Sequence, residues 1–150
     1  MGRSRRKGCS MGNSYTYRSG DDSRGVLDAF TAGFVSAMLF GERFDDAEDD
    51  RSMLDHGLAW SNIAPESQAV ILAECGAFQL RHGADILAYG EAEAGADLYF
   101  SAAGHGCGFW ENDHGTPGGC ARMNRTAKGL AGKLGSAYVG DDGKVYVTSC

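Results

Sequence analysis

Apolar residues recur at helical spacing through two long segments of the first 90 positions, then give way to shorter runs broken by glycine. In the first segment, Val26 to Gly41, the side chains of Leu27, Phe30, Phe34 and Met38 fall on one stripe, and Ser23 is a candidate N-cap. Its aromatic residues Phe30, Phe34 and Phe40 read as core. The second segment opens at Pro65-Glu66, because proline suits a first helical turn and a carboxylate suits the positive helix end. Ile71, Cys75, Phe78 and His82 then share a face that Ile86 and Tyr89 extend. Gly76 and Gly83 each cost up to about 1 kcal/mol relative to alanine, so they are expected where another element comes close. Between the segments, Glu42 to Asp50 is an acidic loop and Ser52 to Ile63 is mixed.

Beyond Tyr89 the pattern changes. Gly90 to Gly95 reads as a small-residue connector, and residues 90 to 150 hold 13 of the 23 glycines, which predicts punctuated β-structure. Leu98 to Ser101 and Gly108 to Glu111 form the arms of a hairpin with His105 at its glycine-rich tip. On a strand, Phe109 and Trp110 face opposite sides, one into the core and one outward. Arg122 to Leu134 returns to helical period, with Met123, Ala127, Leu130 and Leu134 on one face and Gly135 as a C-cap. Ala137 to Val139, Gly140-Asp141-Asp142-Gly143 and Lys144 to Val147 spell a hairpin with Asp-Gly turn chemistry. The expected fold is α+β: two N-terminal helices packed on a four-stranded, largely antiparallel ββαββ sheet, with residues 26–150 as one domain.

Charge divides the chain. The net charge of −6 combines about +4 on residues 1–25 with about −10 on the remainder. The basic leader has almost no aliphatic content and is expected to be disordered, and it is the one segment suited to touching nucleic acid. Met11 is an alternative start. No apolar run approaches the roughly 20 residues of a membrane helix, so a protein that does not enter a membrane is expected. Five irregularly spaced cysteines (Cys9, Cys75, Cys107, Cys120 and Cys150) favour free thiols in a reducing, cytoplasmic compartment.

Three stretches together resemble a known pattern. They are Asp97 to Ser101, the run Gly104-His105-Gly106-Cys107-Gly108-Phe109-Trp110-Glu111, and the ending Tyr138-Val139-Gly140-Asp141-Asp142-Gly143-Lys144-Val145-Tyr146. They resemble a family of small uncharacterised tailed-bacteriophage proteins with a Gly-His-Gly-x-Gly-Phe-Trp hairpin and a C-terminal Tyr-Val-Gly-Asp-Asp-Gly-Lys-x-Tyr hairpin. Here Leu98-Tyr99 stands where that pattern has Phe-Trp. The resemblance covers residues 26–148 and implies a phage or prophage accessory protein in the host cytoplasm. Such proteins often act by binding a host factor, a defence enzyme among them. No reaction attaches to the pattern.

The candidate chemistry centres on the first hairpin. Tyr99, His105, Trp110, Glu111, Asp113 and His114 form the expected binding surface for a host protein, because an exposed Trp or Tyr is a typical anchor. The competing explanation is a cross-strand aromatic pair that only stabilises the sheet. His105, Cys107, His114 and Cys120 are all competent zinc ligands, but their spacing matches no zinc module, and no cofactor is expected. A small metal- or His-dependent hydrolase, with Ser101 as nucleophile, or a nucleotide-binding protein is the alternative function. Arg122, Arg125 and Lys128 could meet an anion, although neither glycine run makes a phosphate-binding loop. The acidic run 42–50 lacks the central glycine of a calcium loop and reads as solvated.

Overall fold

The computed structural model describes residues 26–45, 49–105, 107–111 and 115–147, so the basic leader 1–25 lies outside it. Five α-helices and two separate two-stranded sheets make up the described residues. The helices are α1 (Ala29–Gly41), α2 (Pro65–Tyr89), α3 (Glu91–Ala103), α4 (Gly119–Lys128) and α5 (Ala131–Leu134). The strands pair as β1 (Arg43–Asp45) with β2 (Asp49–Ser52) and β3 (Ala137–Val139) with β4 (Val145–Val147), both antiparallel. This corrects the expected ββαββ architecture: the described residues are mostly helical, and no four-stranded sheet lies among them.

The correction falls on Asp97 to Glu111. That segment is not a hairpin: Asp97 to Ala103 belongs to α3, and Phe109 to Glu111 is a short 3₁₀ turn. Glu91 and Glu93 occupy the first turn of α3, where carboxylates suit the positive end. Alanine recurs through it, which favours a helix. Gly104 adopts a left-handed conformation at its C-cap and bonds back to the Phe100 carbonyl. The connector expected at 90–95 is only Gly90, with φ of 115°, between two helices.

Helix α1 is buried on every side from Phe30 to Leu39, not on one stripe. Its N-cap is Asp28, whose carboxylate accepts from the Thr31 amide at 2.8 Å, not Ser23. It lies against α3, which is buried from Ala94 to Ala102. Two glycines set the closeness of this pair. A methyl group on Gly33 would overlap the Ala92 carbonyl oxygen, and one on Gly95 would overlap the Phe30 carbonyl oxygen. Close approach therefore occurs at Gly33 and Gly95, whereas an added Cβ on Gly76 or Gly83 would meet nothing within 4 Å.

Helix α2 spans its expected range, with Ile71, Cys75, Phe78, His82, Ile86 and Tyr89 buried on the inner face. Leu72, Leu80 and Leu87 stay exposed on its outer face. The Phe78 ring stacks between Phe30, at 5.6 Å, and Phe109, at 6.0 Å, so it joins α1, α2 and the 3₁₀ turn in one aromatic core. The expected helix 122–134 is present as α4 and α5, broken at Gly129-Leu130. The terminal hairpin lies where its Asp-Gly turn put it, and Gly143 takes φ of 81°. It docks on the start of α2: the Ala64 amide donates to the Val145 carbonyl, and the Val147 amide donates to Ser67 Oγ. The acidic run contributes β1 and β2, so it is a short hairpin rather than a plain loop.

Candidate functional site

The residues singled out around His105 are separated by depth. Tyr99 is fully buried in α3, where its ring packs edge-on against Phe34. Its hydroxyl donates to Glu42 Oε2 at 2.5 Å and lies 3.2 Å from His105 Nε2. Burial first, then the Glu42 carboxylate, push the Tyr99 phenol far above its ordinary pKa, so it is a neutral donor. His105 is exposed and rests over the Tyr99 and Phe100 rings. Ser101 is buried, and its hydroxyl accepts the Phe109 amide at 3.1 Å. The candidate nucleophile is thereby a structural acceptor. Asp113 and His114 lie outside the described residues, and Glu111 closes the 3₁₀ turn.

Phe109 and Trp110 divide as expected, although a turn rather than a strand divides them. Phe109 is fully buried, while Trp110 keeps 56% of its surface exposed. Trp110 borders a pocket of about 390 Å³ whose other walls include Thr116, Gly118, Cys120, Ala121 and Asn124. The side-chain oxygen of Asn124 is buried and has no hydrogen-bond partner. That oxygen is closed off from solvent, so it adds to the cost of the fold rather than to what the pocket offers a ligand.

Behind that pocket, α4 is tied to α2 through Asp85. The Asp85 carboxylate accepts from Arg122 Nε at 3.1 Å and from Arg122 Nη2 at 2.8 Å, and also from the Thr116 hydroxyl. These bonds, Arg122 first, hold the Asp85 carboxyl well below the usual carboxylate range. His82 Nδ1 stands 3.6 Å from the same carboxylate, and His82 Nε2 is 2.9 Å from Thr126 Oγ1. Asp85 favours the His82 proton on Nδ1, which leaves Nε2 to accept from the Thr126 hydroxyl. Burial lowers the His82 pKa despite Asp85, with Arg81 and Arg122 adding to the shift. His82 also breaks the helical conformation of α2, at φ −120° and ψ 26°.

The zinc reading finds no support in this arrangement. No group of three or more potential ligands gathers among the described residues, and Cys107 is fully buried and disulfide-bonded. The expectation of free thiols is therefore corrected at Cys107, while Cys75 and Cys120 form no disulfide. Sequence reasoning missed Asp85, Thr116 and Asn124. Asp85 carried a readable signal: it is a carboxylate three residues after His82, beside the apolar face of α2.

Among the described residues, no helix is long and apolar enough to cross a membrane. No family model matches the chain, and neither a curated protein nor a solved structure matches it.

Proposed function

We propose that this chain is a non-enzymatic binding protein, a phage or prophage accessory factor that engages a host protein in the cytoplasm. The observation that carries this reading is Trp110: a large aromatic side chain, more than half exposed, beside a pocket. Aromatic anchors next to pockets dominate the energetics of protein interfaces. The partner would supply an apolar side chain for the pocket. His105, also exposed, follows the end of α3. The phage setting is supported by the sequence resemblance alone, and a defence enzyme is one candidate partner.

Affinity capture from host lysate with the full chain tests the proposal. A partner retained by the wild type and lost on Trp110→Ala supports it, provided the variant stays folded. Retention of the same partner by Trp110→Ala, or absence of any specific partner, contradicts it.

A further inference from the structure

A second feature of the α2–α4 seam points to a ligand of different chemistry. Arg81 from α2 and Arg122 and Arg125 from α4 line one groove of about 430 Å³, together with His82, Asp85 and Leu130. Asp85 neutralises one of the three guanidinium charges through Arg122 Nε and Nη2, and Nη1 is not used in that pair. The Arg81 and Arg125 side chains are exposed and form no ion pair or hydrogen bond among the described residues. Like charges gathered in one concavity repel, and this chain has a net charge of −6, so a cationic groove is not a by-product of a basic surface.

Arg125 has a simpler role open to it, since a cation suits the negative end of α4. Arg81 is farther from such an end: it lies in the middle of α2, just before the kink at His82. The carbonyls at the end of α4 do not oppose an anion strongly. Those of Arg125, Thr126 and Ala127 already accept from the Gly129 and Leu130 amides.

We propose that the groove formed by Arg81, Arg122 and Arg125 between α2 and α4 binds the phosphoryl group of a small phosphorylated molecule. Planar guanidinium forks match phosphate oxygens in pairs. With Asp85 ionised and His82 neutral, the groove carries about two positive charges, which suits a dianionic phosphate better than a single carboxylate. Its size accepts a compact phosphate ester. The lining offers no aromatic ring apart from His82, so the phosphate rather than a base is what the groove grips.

Calorimetric titration of the full chain with inorganic pyrophosphate at low salt tests this, with citrate as a carboxylate control. The expected result is saturable binding of one pyrophosphate per chain, tighter than citrate. Arg81→Gln/Arg125→Gln should weaken it at least about tenfold, and Lys144→Gln on the terminal hairpin should leave it unchanged. Neither arginine side chain makes an ion pair or hydrogen bond among the described residues, so the double variant is expected to keep its melting temperature. Three results overturn the proposal: no saturable binding, citrate binding as tightly, or Lys144→Gln weakening binding as much as the double variant. None of them bears on the Trp110 pocket.

Discussion

Between α1 and α3, two glycines let the backbones touch, and the surrounding side chains are apolar and almost wholly buried. Between α2 and α4, the contact runs through a carboxylate, a guanidinium, an imidazole and two hydroxyls. Both contacts join helices, but they respond to different variables. The first depends on shape, so any added volume forces the helices apart. The second depends on charge and protonation, and its outer faces hold both candidate binding surfaces. Both proposed binding surfaces thus lie on the polar contact, and the dry one holds α1 against α3.

The largest effect should come from filling the dry contact. Gly33→Ala or Gly95→Ala places a methyl group against a backbone carbonyl, and each is expected to cost about 3 kcal/mol or more in denaturant unfolding. The matched controls are Gly76→Ala and Gly83→Ala on α2. Nothing stands near either position, so both should be neutral or stabilising by up to about 1 kcal/mol. Equal destabilisation at all four would erase the distinction.

Breaking the polar contact should cost less. Asp85→Ala leaves Thr116 and His82 without their acceptor, for an expected loss of about 2 kcal/mol, because Arg122 is half-exposed and stays hydrated. A double-mutant cycle of Asp85→Ala with Arg122→Ala should show coupling near 1 kcal/mol, and additive losses would contradict the pairing.

Acid should separate the two contacts further. The folded pKa of Asp85 lies below its unfolded value, so its stabilisation is present above about pH 4 and is lost as pH falls further. His82 is also depressed in the fold, facing Arg81 and Arg122 as well as Asp85. The unfolded chain therefore binds that proton first, and stability begins to fall below about pH 6.5. His82→Gln should remove the upper part of this decline in a melting-temperature profile and leave the lower part. The smallest stability effect is expected from Trp110→Ala, about 0.5 kcal/mol or less, with complete loss of partner capture. A large stability loss there would make Trp110 a structural residue.

Legibility in the sequence follows the same division. The α2 face was readable because one strong period ran uninterrupted from Ile71 to Tyr89. The terminal hairpin was readable because Gly140 to Gly143 carries its own turn chemistry. Helix α3 was not, because the run Leu98 to Ala103 is apolar except for Ser101 and shows no polar face, and periodicity cannot distinguish a buried helix from a buried strand. The glycines misled for a related reason. Gly33 and Gly95 matter through partners distant in sequence, whereas Gly76 and Gly83 merely tolerate the helix. Trp110 was identified as a candidate anchor from its residue type. Its pocket depends on α4 packing beside the turn, which no local pattern encodes.

Hydrogen exchange resolved to single amides, followed from about pH 7.5 to about pH 5.5, tests the central contrast most directly. If the polar contact is the proton-sensitive one, the opening free energies of amides in Gly119–Lys128 should fall on acidification in the wild type and stay level in His82→Gln, because every opening that frees His82 takes up its proton. Level values in the wild type, or an equal fall in His82→Gln, would contradict it.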